Sequence, residues 1–187
     1  MNLEEAIAEL NLGASTISQM PKIALECIMS GKESESLLIL AGMSETDNSF
    51  EIRQYLDQAI NELSIKSNTG LEAAYVLANY YVIRLQNKNI DIIDAITKIK
   101  NDCWNNCEML IDSNKYLYDG IQFHGIIGFW YEYMEIDENT EWVKNSCKSL
   151  KEIKKNIEDE LFTDLLKWHE EFLTPQLSKL KLNNERN

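Results

Sequence analysis

Apolar residues recur along this chain at intervals of three and four, the spacing that gathers one face of an α-helix. The runs open and close on residues suited to helix ends. Asn2 is placed to cap a first helix whose Leu3, Ala6, Ile7 and Leu10 share a face, and Gly13 marks its end. Pro21 suits the first turn of a second helix, with Ile23, Ala24, Cys27 and Ile28 on its stripe and Gly31 behind it. Between Ser34 and Ala41 lies the run LLIL, too short for its period to separate helix from strand. Helical neighbours and Gly42 behind it predict a buried helix.

Asn48 stands three residues before Glu51, a capping-box spacing, and opens a helix striped by Ile52, Tyr55, Leu56, Ala59, Ile60 and Leu63. Thr69 and Glu72 repeat that spacing before Leu71–Leu85, which is apolar over much of its circumference and predicts a central helix. After the polar turn 86–89, Asp91 and Asp94 open a helix bearing Ile92, Ala95, Ile96, Ile99, Cys103 and Trp104, antiparallel to the one before. A connection is expected at 113–120, then an apolar run from Ile121 to Ile136. In the last third Leu150, Ile153, Ile157, Leu161, Leu165, Trp168 and Phe172 keep the helical period, with Asn139 as a candidate cap. A break is expected within 159–164, and Pro175 just beyond the end.

The pattern predicts an all-α fold: a single-domain bundle of about seven to nine helices over residues 1–175, ending in a long amphipathic C-terminal helix or helix pair. Residues 176–187 read as a polar, fraying tail. At 187 residues, 44% of them hydrophobic and 26% charged, the composition suits one packed core rather than a disordered chain. The opening MNLEEAIAEL lacks the features of a signal peptide, and no apolar run is long enough to cross a bilayer, so a cytoplasmic protein off the membrane is expected. Cys27, Cys103, Cys107 and Cys147 sit in apolar surroundings and read as reduced, buried thiols.

Charge narrows the choice of partner. Thirty-one acidic against eighteen basic residues leave −13, which disfavours nucleic acid and anionic membrane surfaces. The excess is uneven: residues 1–63 hold eleven acids and three bases (−8), 64–140 eleven and six (−5), and 141–187 nine and nine. A surface that works by negative charge is expected on the early helices.

The most unusual segment is 119–133, where Gly120, Gly125 and Gly128 interrupt an aromatic helix. Glycine costs about 1 kcal/mol there relative to alanine, so a reason is needed. Close approach of another helix is one; room for a ligand beside His124, Trp130 and Tyr131 is the other. Cys103 and Cys107 lie one helical turn apart and could join His124 on a metal, but Cys-x3-Cys among apolar neighbours reads as buried thiols, and no metal or cofactor is assigned. His169 has no acid or histidine arranged as a zinc helix requires, and neither histidine follows a glutamate by three residues as in di-iron bundles. Lys144, Lys148, Lys151 and Lys155 form a stripe that reads as a solvated face. No P-loop or nucleophile elbow occurs, so no catalytic residue is named and a noncatalytic protein is favoured over an enzyme.

From Pro21-Lys-Ile-Ala-Leu-Glu-Cys-Ile through Leu40-Ala41-Gly42-Met43 and Phe50-Glu51-Ile52 to Ala59-Ile60-Asn61-Glu62-Leu63, the chain resembles a pattern in uncharacterised bacterial all-helical proteins. There a proline-started helix and a Leu-Ala-Gly turn precede a helix ending Ala-x-x-Glu-Leu. Glu72-Ala73-Ala74 with Leu77-Ala78 is similar to the next helix, so the likeness spans about residues 20–100. It implies a small bacterial helical domain and carries over no functional residue.

The favoured function is therefore a bacterial protein–protein interaction protein, immunity- or antitoxin-like, whose Glu33, Glu35, Glu45 and Glu51 meet a basic surface. The alternative is a small-molecule-binding or enzymatic bundle with its pocket at 119–133. Helical-repeat scaffolding ranks last, since no regular period of that kind is found.

Overall fold

The first helix, α1 (Leu3–Asn11), opens on a complete capping box: Asn2 Oδ1 accepts the Glu5 N–H at 3.0 Å, and the Glu5 carboxylate accepts the Asn2 N–H at 2.7 Å. It ends where Gly13 turns to φ 73°, a conformation that glycine adopts without strain. The computed structural model describes residues 1–107, 120–136 and 149–184 of the chain. Among them α2 (Met20–Met29), α3 (Glu35–Ala41) and α4 (Ser49–Glu62) follow α1, preceded by one 3-10 turn at Ile17–Gln19.

Helix α5 (Gly70–Gln86) comes next, then α6 (Ile92–Lys98), which runs on through a π-helical stretch, Ile99–Trp104, into a further α-helical turn at Asn105–Cys107. Helices α7 (His124–Glu135), α8 (Leu150–Trp168) and α9 (Thr174–Asn184) follow among the described residues, with a second π-helical stretch, His169–Leu173, joining α8 to α9. The described residues form helices and no strand: the fold is all-α.

Two hydrophobic clusters hold it together, and α1 serves both. Leu3, Ala6 and Ile7 pack with Met20, Ile23, Ala24, Cys27, Leu37, Leu40, Ile52, Leu56 and Ala59. Ala8 and Leu12, on another side of α1, join the larger cluster built around α5. The small side chains Ala8, Ala73, Ala74 and Ala78 are all fully buried, so α1 approaches α5 closely. In this way α1 ties the α2–α4 layer to the rest of the bundle.

Several local expectations need correction. In α3 the run LLIL is only half buried: Leu37 and Leu40 are fully enclosed, while Leu38 and Ile39 are 54% and 42% exposed. A seven-residue helix lying on the surface can bury only one face. Asn48 caps α4 through the Phe50 N–H at 2.9 Å, without the reciprocal Glu51 bond. Thr69 makes no side-chain cap, because Gly70 starts α5 at φ 55° and Glu72 pairs instead with Lys66 at 2.8 Å.

The end of the chain also departs from expectation. Asn139 lies outside the described residues, and the described α8 begins on a Ser149–Glu152 capping box. It runs unbroken through 159–164 to Trp168, and the irregularity comes at His169–Leu173. Pro175 does not stop the chain, which stays helical to Asn184. A proline removes one N–H and crowds the carbonyl four residues back, and the wider π turn relieves both. The Thr174 N–H and hydroxyl both turn to the carbonyl of His169, the hydroxyl at 2.9 Å.

Candidate functional site

The α2–α4 layer carries the four glutamates singled out from the charge pattern. Helix α3 is held twice at its N-terminal end: Ser34 caps it, and Glu62 at the end of α4 accepts the Ser36 N–H at 3.0 Å and the Ser36 hydroxyl at 2.6 Å. These bonds to Ser36 hold the Glu62 carboxyl below the usual range. Glu33 and Glu35 then flank the start of α3, Glu51 lies in the first turn of α4, and all four acids, Glu45 included, are exposed. Among the described residues none of them has an ion-pair partner. Glu45 also lines a cleft of about 380 Å³ with Met1, Glu9, Gln19, Lys22, Ile23 and Glu26. Glu35 and Glu51 favour the helix dipoles at their positions, which is a structural use, but such positions do not require that the carboxylates stay unneutralised.

Apolar side chains also stand exposed on the same three helices. Leu25 and Met29, one turn apart on α2, are 50% and 81% exposed, Leu38 and Ile39 on α3 are half exposed, and Phe50 at the start of α4 is 86% exposed. Glu35 lies one turn before Leu38 and Ile39, on the same side of α3. Sequence reasoning missed these residues, although the signal was present: Leu25 and Met29 stand one turn apart but off the Ile23, Ala24 and Cys27 stripe, and Phe50 precedes the stripe of α4.

The second expected location is α7. His124 is its first residue and is exposed; Tyr131 is 47% exposed and Trp130 half-buried. Trp130 and Tyr131 meet edge to face with ring centroids 5.0 Å apart, and Lys100 Nζ stands 5.1 and 5.6 Å from them. The indole N–H of Trp130 donates to Thr97 Oγ1 at 3.1 Å, which fixes the ring on α6. Gly125 and Gly128 are exposed, and a Cβ added at either would meet nothing within 4 Å, so neither is the point of close approach to another helix among the described residues. Gly120 carries a different contact, its carbonyl accepting the Tyr75 hydroxyl at 3.4 Å.

A third grouping was not anticipated. Tyr81, fully buried on α5, donates to Asp102 Oδ2 at 2.6 Å, and Glu9 Oε1 of α1 lies 3.5 Å from the same hydroxyl. Burial, and then the Asp102 charge, pushes the Glu9 carboxyl above its ordinary value, while Lys98 and the Tyr81 hydroxyl partly oppose this. The Tyr81 phenol is raised by burial and by its bond to Asp102, so it stays protonated. Lys98 Nζ sits 5.5 Å from the centre of the Tyr81 ring. No sequence spacing links positions so far apart, though each carboxylate borders an apolar stripe.

The thiols are chemically quiet. Burial raises Cys27, holds Cys103 well above the usual thiol range and pushes Cys107 up to about 11. Cys147 lies outside the described residues, as do Lys144 and Lys148 of the lysine stripe. His169 bonds Asn79 Oδ1 through Nε2 at 2.9 Å, and burial lowers its pKa. Among the described residues no three His, Cys, Asp or Glu side chains gather as a metal site, and no helix is long and apolar enough to cross a membrane. Comparison with known proteins finds no protein-family model, no curated protein and no solved structure that matches this chain.

Proposed function

We propose that this protein is a noncatalytic binding domain whose acidic α2–α4 layer meets a basic protein, in the manner of an immunity protein or antitoxin that holds a partner inactive. The observation that carries this reading is the set of four exposed glutamates, Glu33, Glu35, Glu45 and Glu51, without ion-pair partners among the described residues, on the part of the chain with the largest acidic excess. Unneutralised charge of one sign accelerates encounter with the opposite sign and suppresses wrong partners. Catalysis has less support: the buried thiols are held protonated, and the Tyr81 phenol already donates to Asp102.

Affinity capture from the native host tests the proposal. The comparison is between the unaltered protein, a Glu33→Lys, Glu35→Lys, Glu45→Lys, Glu51→Lys variant, and a control with Asp159→Lys, Glu160→Lys and Asp164→Lys on α8. The expected result is a basic partner lost from the first variant, retained by the control, and released as salt rises. Equal recovery with all three would reject the reading.

A further inference from the structure

We infer that the occupant of the α2–α4 surface is a cationic amphipathic helix of the partner, seated on Leu25, Met29, Leu38, Ile39 and Phe50 with its basic residues directed to the surrounding glutamates. This rests on the protein-binding reading and names the element that binds. Five large apolar side chains are exposed within residues 25–50, two of them above 80% exposed, on three helices that pack in sequence, α2 on α3 and α3 on α4, and exposed apolar side chains on adjoining helices mark contact surfaces. The four glutamates interleaved with them in sequence lie in a segment whose net charge is −8 over residues 1–63, so the complement combines apolar with positively charged side chains.

The form of the occupant follows from what the surface offers. Strand addition needs an open sheet edge, and the described residues contain no strand. Proline-rich segments dock on aromatic-lined grooves, and of the five apolar residues only Phe50 is aromatic. What remains is side-chain packing on helix faces. Leu25 and Met29 form an i, i+4 pair on α2, and Glu35 with Leu38 and Ile39 forms an i, i+3, i+4 set on α3, ridges against which a third helix packs. A second copy of this chain is disfavoured as occupant because it would bring like charge against like charge.

The probe is an 18-residue peptide of leucine and lysine patterned as an amphipathic helix, with a scrambled peptide of identical composition as control, so that net attraction to an acidic protein cancels. Binding is followed by fluorescence anisotropy and located by amide hydrogen exchange. The patterned peptide should bind at least about tenfold more tightly than the scrambled one and protect α2, α3 and the start of α4. The triple variant Met29→Ser, Leu38→Ser, Phe50→Ser, altered only at exposed positions, should abolish that difference while its circular dichroism and unfolding midpoint hold. Equal affinity for the two peptides overturns the inference, as does protection confined to α7 or a concentration-dependent dimer of the free protein that the triple variant dissolves. If the peptides bind alike yet the glutamate reversal still removes a basic partner in the capture experiment, the helix is wrong and the interaction reading stands. If both fail, both are lost.

Discussion

The hydroxyl of Tyr81 gives its one proton to Asp102 at 2.6 Å and stands 3.5 Å from a second carboxylate, that of Glu9. Three helical segments, α1, α5 and the π-helical end of α6, thus converge on a single phenol in the interior. Removing the hydroxyl leaves Asp102 without that donor and brings two carboxylates together with less to separate their charges. Tyr81→Phe is expected to lower stability by about 1–2 kcal/mol, since Asp102 is only half buried and regains some water. Urea unfolding, with the slope unchanged and the midpoint reduced, would show it. A midpoint that does not move would mean that the bond contributes nothing net.

Glu9 gives this cluster a pH dependence of definite sign. Its carboxyl is raised in the folded protein, mainly by burial and next by Asp102, so the folded state binds the proton more tightly than the unfolded chain. Linkage then makes the ionised form a penalty: absent at pH values below the ordinary glutamate range, it grows as pH rises through that range and is complete above the raised folded value. Glu9→Gln should therefore be more stable than the parent at neutral pH, with the advantage fading on acidification. A series of unfolding curves between pH 3 and 7 would reveal a constant difference if the cause were packing instead.

Glu62 titrates in the opposite sense. Its bonds to the Ser36 hydroxyl and N–H lower its pKa, so its contribution is present above the ordinary glutamate value and is lost as pH falls through the lower folded one. Glu62→Gln should destabilise at neutral pH and approach the parent in acid. Amide exchange at the start of α3 is the local readout, because this clasp positions Glu33 and Glu35. Unaltered exchange at neutral pH would show that Ser34 alone holds the end of the helix.

The run LLIL permits a within-segment test. Leu40 is fully buried in the smaller cluster, and Leu40→Ala should cost about 2–5 kcal/mol, whereas Leu38→Ser on the exposed side should stay within about 0.5 kcal/mol. Equal losses, measured by denaturant titration, would mean that Leu38 is not on the outside.

How far the pattern of residues foretold this arrangement depends on the range of the interaction. Asn2 caps α1 as expected, and Glu5, three residues on, adds a reciprocal bond that was not foreseen; the helix stripes form as expected, since periodicity reports which face is buried. Thr69 and Glu72 have the same spacing, but Lys66 takes Glu72, a competition that spacing cannot register. The π turns at 99–104 and 169–173 shift the register within otherwise regular helices, so Pro175 reads as a terminus when it is accommodated. The Glu9, Tyr81 and Asp102 cluster joins residues 72 and 21 positions apart, and only tertiary packing brings them together. Of the candidate site residues, the glutamates stand exposed as a charge argument requires, whereas Leu38 and Ile39 look like core until the short helix shows which of its faces is covered.

The remaining prediction concerns the thiols. Cys103 and Cys107 are enclosed in the larger cluster and Cys27 in the smaller one, and burial raises all three, so little thiolate is available at neutral pH. Two barriers, access and ionisation, act on the same groups, and both disappear on unfolding. In a Cys147→Ser background, a disulfide reagent such as 5,5′-dithiobis(2-nitrobenzoate) should leave the native protein almost unlabelled over minutes and modify three thiols at once in denaturant. Because Cys27 belongs to the α2–α4 cluster and the other two to the α5 cluster, sub-denaturing urea separates local from global opening. If the two layers open independently, Cys27 will label at a lower urea concentration than Cys103. If α1, buried against both, makes them one cooperative unit, all three will label together. Rapid labelling of Cys103 in the absence of urea would contradict its burial and the packing of α6 against α5.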